Sequence, residues 1–503
     1  MTSDIALRKA PPFHLTLAHL VIGGALVFVA GNLVFAMSLR LLPGAILSLG
    51  CLGATFVILH TASRNSFHST PVHLPFFALC MATGFALCLL AGQGHFFYAI
   101  DDWLMRDAVL ADLSVSALPA YSWDQEAFIM RAPLGMYLLP GALGRLAGLG
   151  AAHGLMFVQN ACLAGCALYL IAEAFERRRP AFLALFIFFS GLDVIGLWTL
   201  QGIDWLPMHL ENWHPQVQYY SFISQMFWSP NHFLPGWWFA ALLALHLRGG
   251  GLAPVLFVLF AAALIWSPLT MMGALPFVIF VILREPRKMM SPDVIRACLA
   301  GAAFLPVAIY LQLDAASVEQ RWLLKHPEYT LLFLGIEIPH VAFIVTVALN
   351  RAMPWSRVLA LSIVLLLLIP LYSIGVNNDF SLHASIVSLM FLAACFVSRV
   401  LELSQLKDPI RFFAWTIIVI GAVNPVVGIL RNIRVPSYGI SVCDLASSWN
   451  ELGGGKVTSL NQYMVRVDRM PDWLAPPPQS LRPRSSEAES CWPDHPFVVR
   501  ASK

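Results

Sequence analysis

Two adjacent acids, Asp101 and Asp102, form the pattern in this chain best suited to proton transfer. They follow an apolar run near 74–93. Their carboxyls are therefore expected near a membrane–water interface, where partial desolvation suits a general base or an anchor for a polar substrate. Asp107, Asp112, Asp124 and Glu126 continue the acidic stretch, and loop solvation or helix capping accounts for acids there equally well. Leu104, Val109, Leu110 and Leu113 recur among them at helical spacing, which predicts an amphipathic interfacial helix over 102–113. Arg131 and Arg145 bracket an apolar segment broken by Pro133, Gly135, Pro140 and Gly144. It is too irregular for an ordinary span and is expected to dip into the membrane from outside. A guanidinium at its edge suits a lipid phosphate, with interfacial snorkelling as the plainer account.

A second polar region carries Asp204, Trp205, His209, Glu211, Trp213, His214, Tyr219, Tyr220, Trp228, Asn231 and His232. Aromatic belts at a membrane interface explain many of the rings. They do not explain the clustered imidazole, carboxyl and amide groups. Aromatic faces beside hydrogen-bonding groups suit a sugar, so Glu211, His214, Asn231 and His232 are expected to bind substrate. His209, Glu211 and His214 lack the spacing of a HExxH metal motif, and no cofactor is expected, with a divalent metal held there as the lesser alternative. Asp379 and His383 lie in a polar connection, Asn377 to His383, that leads straight into an apolar helix. Both are candidate binding residues, and Asp379 or Ser381 is alternatively the helix N-cap. Asp193 and Glu337 are acids inside apolar segments, a placement that usually marks a cavity or a partner.

The elements that position these groups follow from composition. The chain of 503 residues is 58% hydrophobic and 12% charged, with mean hydropathy +0.71. About a quarter of residues are charged in ordinary soluble domains. Long apolar runs without alternation select helices over a barrel. At roughly 20 residues per span, about thirteen transmembrane helices are expected: near 14–38, 41–60, 74–93, 153–175, 180–200, 234–247, 252–267, 268–284, 293–312, 329–349, 356–375, 383–403 and 411–430. The fold expectation is thus an all-α polytopic bundle over 1–430, with 94–152 as its first large external loop. Residues 431–503 form a small external C-terminal tail.

Basic residues choose the orientation. Arg8/Lys9, Arg64, Arg177 to Arg179, Arg248, Arg284/Arg287/Lys288, Arg351/Arg357 and Arg399/Lys407/Arg411 fall in alternate loops. That places the N-terminus in the cytoplasm and the tail outside. A net charge of +3, scattered between apolar runs, gives no nucleic-acid face. Of nine cysteines none forms a metal or redox motif. In the tail, which also holds Gly453 to Gly455 and Pro476 to Pro478, Cys443 and Cys491 either pair or stay free.

A multi-helix membrane chain with acids opening its first external loop, a re-entrant-like segment after them and further polar external loops resembles the GT-C glycosyltransferases. The runs Asp102-Trp103 to Pro140, Trp228 to Trp237 and Asn378 to Ser385 also look like parts of bacterial membrane proteins of that type. The resemblance implies a multi-pass enzyme of the bacterial inner membrane. It would move a sugar from a polyprenyl-phosphate-linked donor to a glycan or lipid acceptor at the periplasmic face, with inversion. It implies Asp101 or Asp102 as general base, with Arg106 and Arg131 as substrate-binding cations and Arg131 at the phosphate. His232 and Asp379 would line the sugar or acceptor site. Two features depart from the family: two helices precede the one feeding the acidic loop, and the acids are adjacent instead of forming Asp-x-Asp. A polysaccharide polymerase or ligase is the related alternative, and a transporter of a lipid-linked or polar substrate is the alternative from another class.

Overall fold

The computed structural model describes residues 14–64, 66–123, 125–202, 209–323, 327–348, 355–375, 377–402, 408–441, 443–451, 463–478, 481–483, 491–492 and 494–497. Asp124, Asp204, Trp205, Arg8, Lys9, Arg351, Lys407 and Gly453 to Gly455 lie outside the described residues. The chain begins with α1 (Leu17–Ala36), α2 (Leu41–Arg64) and α3 (Leu74–Leu90), then α4 (Asp102–Leu113). Strands β1 (Ala120–Trp123) and β2 (Glu126–Met130) precede α5 (Gly135–Ala147), α6 (Leu149–Ala174), α7 (Pro180–Ile187) and α8 (Asp193–Gln201). Next come α9 (Phe222–Trp228), α10 (Pro230–Leu245), α11 (Ala253–Ala262), α12 (Pro268–Arg284), α13 (Pro286–Met289), α14 (Pro292–Ala302) and α15 (Leu305–Gln312). Strand β3 (Gln320–Trp322) is followed by α16 (Pro327–Glu337), α17 (His340–Ala348), α18 (Ser356–Leu368) and β4 (Tyr372–Ile374). The chain closes with α19 (Asp379–Ala384), α20 (Ile386–Val400), α21 (Asp408–Gly421), α22 (Val423–Arg434), α23 (Leu445–Glu451), β5 (Met464–Arg466) and β6 (Arg482–Pro483).

Helix starts follow local chemistry. Ser221, Ser267 and Ser291 each accept a hydrogen bond from a backbone N–H three residues on, and Pro268 and Pro292 fill first-turn positions where no N–H is needed. Each apolar segment expected from the sequence is helical over at least part of its length. Among the described residues, five stretches are long and apolar enough to cross a membrane: Leu17–Ala36, Leu41–Arg64, Leu149–Ala174, Pro292–Gln312 and Asp408–Arg434. A sixth is the pair Pro327–Glu337 and His340–Val347, bent by 67°. The 180–200 segment is not one helix, because Phe188 to Leu192 separate α7 from α8. Large apolar side chains face outward from several stretches, among them Leu41, Leu49, Leu299, Leu331 and Phe412, as lipid-facing surface requires.

The C-terminal segment is more than a tail. β5 pairs antiparallel with β2, placing Phe128 opposite Arg466, and β6 runs parallel to β1, in a sheet of order β5-β2-β1-β6. Cys443 and Cys491 are disulfide-bonded. The loop 94–152 and the segment beyond 431, read from sequence as separate regions, thus share one sheet.

α4 also departs from its expected amphipathic, interfacial character. Trp103, Leu104, Asp107, Leu110 and Asp112 are all buried, because α5, α6 and α23 pack around it. The N-cap of α19 is Asn378, whose side chain accepts from the Ser381 N–H, and neither Asp379 nor Ser381 takes that place. Asn378 has φ 54°, a left-handed conformation that asparagine tolerates better than most side chains.

Candidate functional site

α4 starts at Asp102, and a carboxylate in a first turn is favoured by the exposed N–H groups there. One turn later Arg106 Nη2 pairs with Asp102 Oδ2 at 3.2 Å. The two side chains differ in access: Asp102 is 49% exposed and Arg106 11%. Arg106 is held from several sides. Nη1 donates to Asn231 Oδ1 at 2.7 Å and to the Tyr137 hydroxyl at 3.5 Å, and Nη2 donates to the Trp228 carbonyl. A guanidinium so engaged orients Asp102 more than it meets a substrate.

Those bonds fix the proton positions beyond it. With Asn231 Oδ1 accepting from Arg106, its Nδ2 must be the group 3.1 Å from His232 Nε2 and must donate to it. The His232 proton then sits on Nδ1, directed at Ser267 Oγ 2.6 Å away. The His232 ring stacks on His383 with centroids 3.5 Å apart, and His383 Nε2 lies 3.4 Å from Ser229 Oγ. Two imidazoles so close and so buried cannot both be cations.

Asp379 belongs to the same site. Burial, reinforced by the Asp102 charge, pushes its carboxyl up to about 6. Asp102 is also raised, first by the protein packed around it and further by Asp101, while Arg106 pulls the other way. The Tyr220 and Tyr463 phenols lie within electrostatic reach of Asp102, Arg106 and Asp379. Asp101 has its own neighbours: the Tyr98 hydroxyl donates to its Oδ1 at 3.1 Å, and His495 Nε2 is 3.9 Å away. Arg431, near the end of α22, interacts electrostatically with Asp101 and lies over the Trp228 ring at 5.6 Å. His209 stacks on that same ring at 4.3 Å.

No family model matches this chain, and neither the curated proteins nor the solved structures contain a significant match. Function therefore has to be argued from the site itself.

The structure gathers Asp101, Asp102, Arg106, Asn231, His232, Asp379 and His383, which come from three stretches of sequence. It places the other candidates elsewhere. Arg131 is 8% exposed, its N–H donates to the Tyr463 carbonyl at 2.6 Å, and its charge faces Tyr310 and Asp314. Glu211 and His214 do not join His232. Glu211 Oε1 accepts from the Ser221 N–H at 2.8 Å, and His214 Nδ1 accepts from Val217 N–H at 3.1 Å, in a buried region beneath α9. Burial lowers His214 to about 4, so it is neutral near pH 7. Arg145 Nη1 is tied to the Leu113 carbonyl at 2.8 Å. Among the described residues no group of three or more His, Cys, Asp or Glu could hold a metal ion.

Four contributors escaped the sequence: Arg431, Tyr463, Tyr98 and His495. Only Arg431 left a trace. With Arg434 it puts basic charge at the end of the last apolar helix that is expected to be external, against the bias that assigns arginines to the other side.

Proposed function

We propose that the protein is a polytopic membrane glycosyltransferase of the GT-C type, working at the periplasmic face on a polyprenyl-phosphate-linked sugar donor. The observation that carries this reading is the half-exposed Asp102, fixed by Arg106 at the start of α4 and surrounded by Asp101, Asp379, the stacked imidazoles and the second cation Arg431. In the proposed reaction Asp102 takes the proton of the acceptor hydroxyl as its oxygen bonds the anomeric carbon. The bond from that carbon to the phosphate oxygen breaks, and the lipid phosphate keeps the electron pair. Such a base contributes on the order of a hundred- to ten-thousand-fold in rate. Arg431 stabilises the departing phosphate, a role the family resemblance alone had put on Arg131. Tyr220 and Tyr463 offer hydroxyls to the sugar.

Topology supports the same reading. Arg177 pairs with Glu402, and Arg248 with Glu173 and Glu176, so three loops expected to be cytoplasmic meet at one end. The apolar segments that fall short of a full span would complete the count of about thirteen as tilted or broken elements. Transfer from a polyprenyl-phosphate sugar in proteoliposomes tests the proposal, with Asp101→Asn and Asp102→Asn made singly and together. Loss of turnover with intact folding is expected. Near-wild-type turnover in the double variant rejects the site. A transporter is the second reading, favoured by the helix breaks at Phe188 to Leu192 and at Ile338 to Pro339. Uptake into vesicles without glycosyl transfer would establish it instead.

A further inference from the structure

Three helix interruptions meet at one buried point away from Asp102. α7 ends at Ile187 and α8 begins at Asp193; α16 ends at Glu337 and α17 begins at His340; α21 passes into α22 at Ala422. The first two are joined by the Leu192 N–H, which donates to the Ile336 carbonyl at 2.9 Å. Glycines allow the approach. A Cβ on Gly421 would meet the Ser190 and Gly191 carbonyl oxygens at 2.9 and 3.2 Å, and a Cβ on Gly191 would collide with the Glu337 carboxyl.

Three carboxyls converge there: Asp193, Glu211 and Glu337, exposed by 1%, 1% and 2%. Asn424 Nδ2 donates to Glu211 Oε1 at 2.6 Å and to Asp193 Oδ2 at 3.1 Å. The Ser190 hydroxyl donates to Asp193 Oδ2 at 3.0 Å, and Trp213 Nε1 to Glu337 Oε1 at 2.8 Å. Asp193 and Glu337 also interact electrostatically with each other. Buried carboxylates that face one another repel when all are ionised, which favours a proton on at least one of them. No N–H or hydroxyl donor among the described residues reaches Asp193 Oδ1, Glu211 Oε2 or Glu337 Oε2.

A second, independent feature adjoins the acids. Ser190, His340 and Gly421, with apolar neighbours, line a cavity of about 20 Å³, room for about one water molecule. His340 is 2% exposed and its Nδ1 has no partner among the described residues. Among the described residues the charges around the cluster do not balance three carboxylates. α22 supplies Arg431, within electrostatic reach of Glu211; the loop before α9 supplies the neutral His214 and Tyr219, and α17 supplies His340. Buried charge that no partner neutralises is costly enough for the group to take up a proton instead.

We propose that Asp193, Glu211 and Glu337 form a buried proton-binding centre, and that the small cavity beside His340 holds the water through which its protons exchange. Glu211 is the member that titrates near neutrality, since burial, reinforced by Asp193, pushes it up to about 8. The centre is linked to the external site by α22. Asn424 and Arg431 stand seven residues apart on one face of that helix, Asn424 on the acids and Arg431 beside Asp101. A proton lost from Glu211 therefore adds negative charge on the flank of Arg431. None of this requires that the protein transfer sugars.

Infrared difference spectroscopy of the full chain in lipid, between pH 6 and pH 9, tests the centre. The expected result is a carbonyl stretch of protonated carboxylic acid that shifts in D2O. Its titrating part should be lost in Glu211→Gln, and its pH-independent part reduced in Asp193→Asn or Glu337→Gln. The amides keep the shape of the neutral acids, so folding should survive. Carbon-13 labelling of Glu and Asp in the wild-type protein gives a reading that needs no variant. Absence of any protonated-acid band in the wild-type protein overturns the proposal, as does a band indifferent to all three substitutions. A band abolished at fixed pH by sodium but not by potassium overturns it in favour of a metal-cation site.

Discussion

Arg106 Nη1 donates to Asn231 Oδ1 at 2.7 Å, a bond that ties the helix bearing Asp102 to the first turn of α10 across more than a hundred residues of sequence. The same guanidinium reaches the Trp228 carbonyl and Asp102, so one side chain sets the spacing of the acid, the amide and the indole. Arg106→Ala should therefore do more than remove a charge. It leaves buried acceptors without donors, at a cost of about 1–3 kcal/mol each. A lowered unfolding midpoint in detergent is the expected result. Arg106→Lys should recover only part of it, because an ammonium cannot reproduce the fork. Unchanged stability in Arg106→Ala would show that these bonds are not formed.

Asp379 links the site to pH. Its carboxyl binds a proton more tightly in the folded chain, at about 6, than in the unfolded chain, where an aspartate titrates near 4. Between those values the folded state holds more protons, so stability falls as pH rises through the window and is greatest below it. Above pH 6 the ionised, half-buried Asp379 is a net cost, on the order of 3 kcal/mol. Asp379→Asn should raise the unfolding midpoint at pH 7 and flatten its dependence between pH 4 and 6. Thermal unfolding at stepped pH measures both, and an unaltered slope in the variant would assign the dependence to another group.

The helical segments were legible because a bundle of this kind is apolar on nearly every face, and a run of twenty such residues declares itself without any periodicity. The breaks were not. Phe188 to Leu192 interrupts its apolar run with no more than Ser190 and Gly191, and the close approach of Glu337 and Gly421 fits the opening of the helix there. Asp101, Asp102 and Asp379 could be singled out because acids stand out where apolar runs end. Arg431, Tyr463 and His495 reach the site through pairings of distant segments, β5 with β2 and Tyr98 with Tyr438 and His495, which local sequence does not encode. Glu211 and His214 looked like neighbours of His232 because sequence distance is a poor guide across a turn that sends two loops to different depths.

The Cys443–Cys491 disulfide closes a separation of 48 residues and so limits the unfolded freedom of the segment that carries β5 and Tyr463. A loop of that size corresponds to about 4 kcal/mol in the chain-entropy account. Cys443→Ser with Cys491→Ser should lower the unfolding midpoint. It should also loosen Tyr463 and His495 from the neighbourhood of Asp102 and Asp101, weakening substrate use more than it alters helix content. Equal midpoints with and without reductant would show that the bond adds no stability.

Orientation can be tested independently of chemistry. Glu126 and Arg466 form an exposed pair on the sheet shared by the 94–152 loop and the C-terminal segment. Arg178 pairs with Glu173 at 3.3 Å among the loops expected to be cytoplasmic. Basic loops remain on the cytoplasmic side, and three of them converge around Glu173, Glu176 and Glu402. A Cys introduced at Glu126 should thus react with a membrane-impermeant maleimide added to intact cells, whereas one at Arg178 should react only after the membrane is opened. The opposite labelling would turn the molecule over, put Asp102 on the cytoplasmic face and remove the basis for a periplasmic donor.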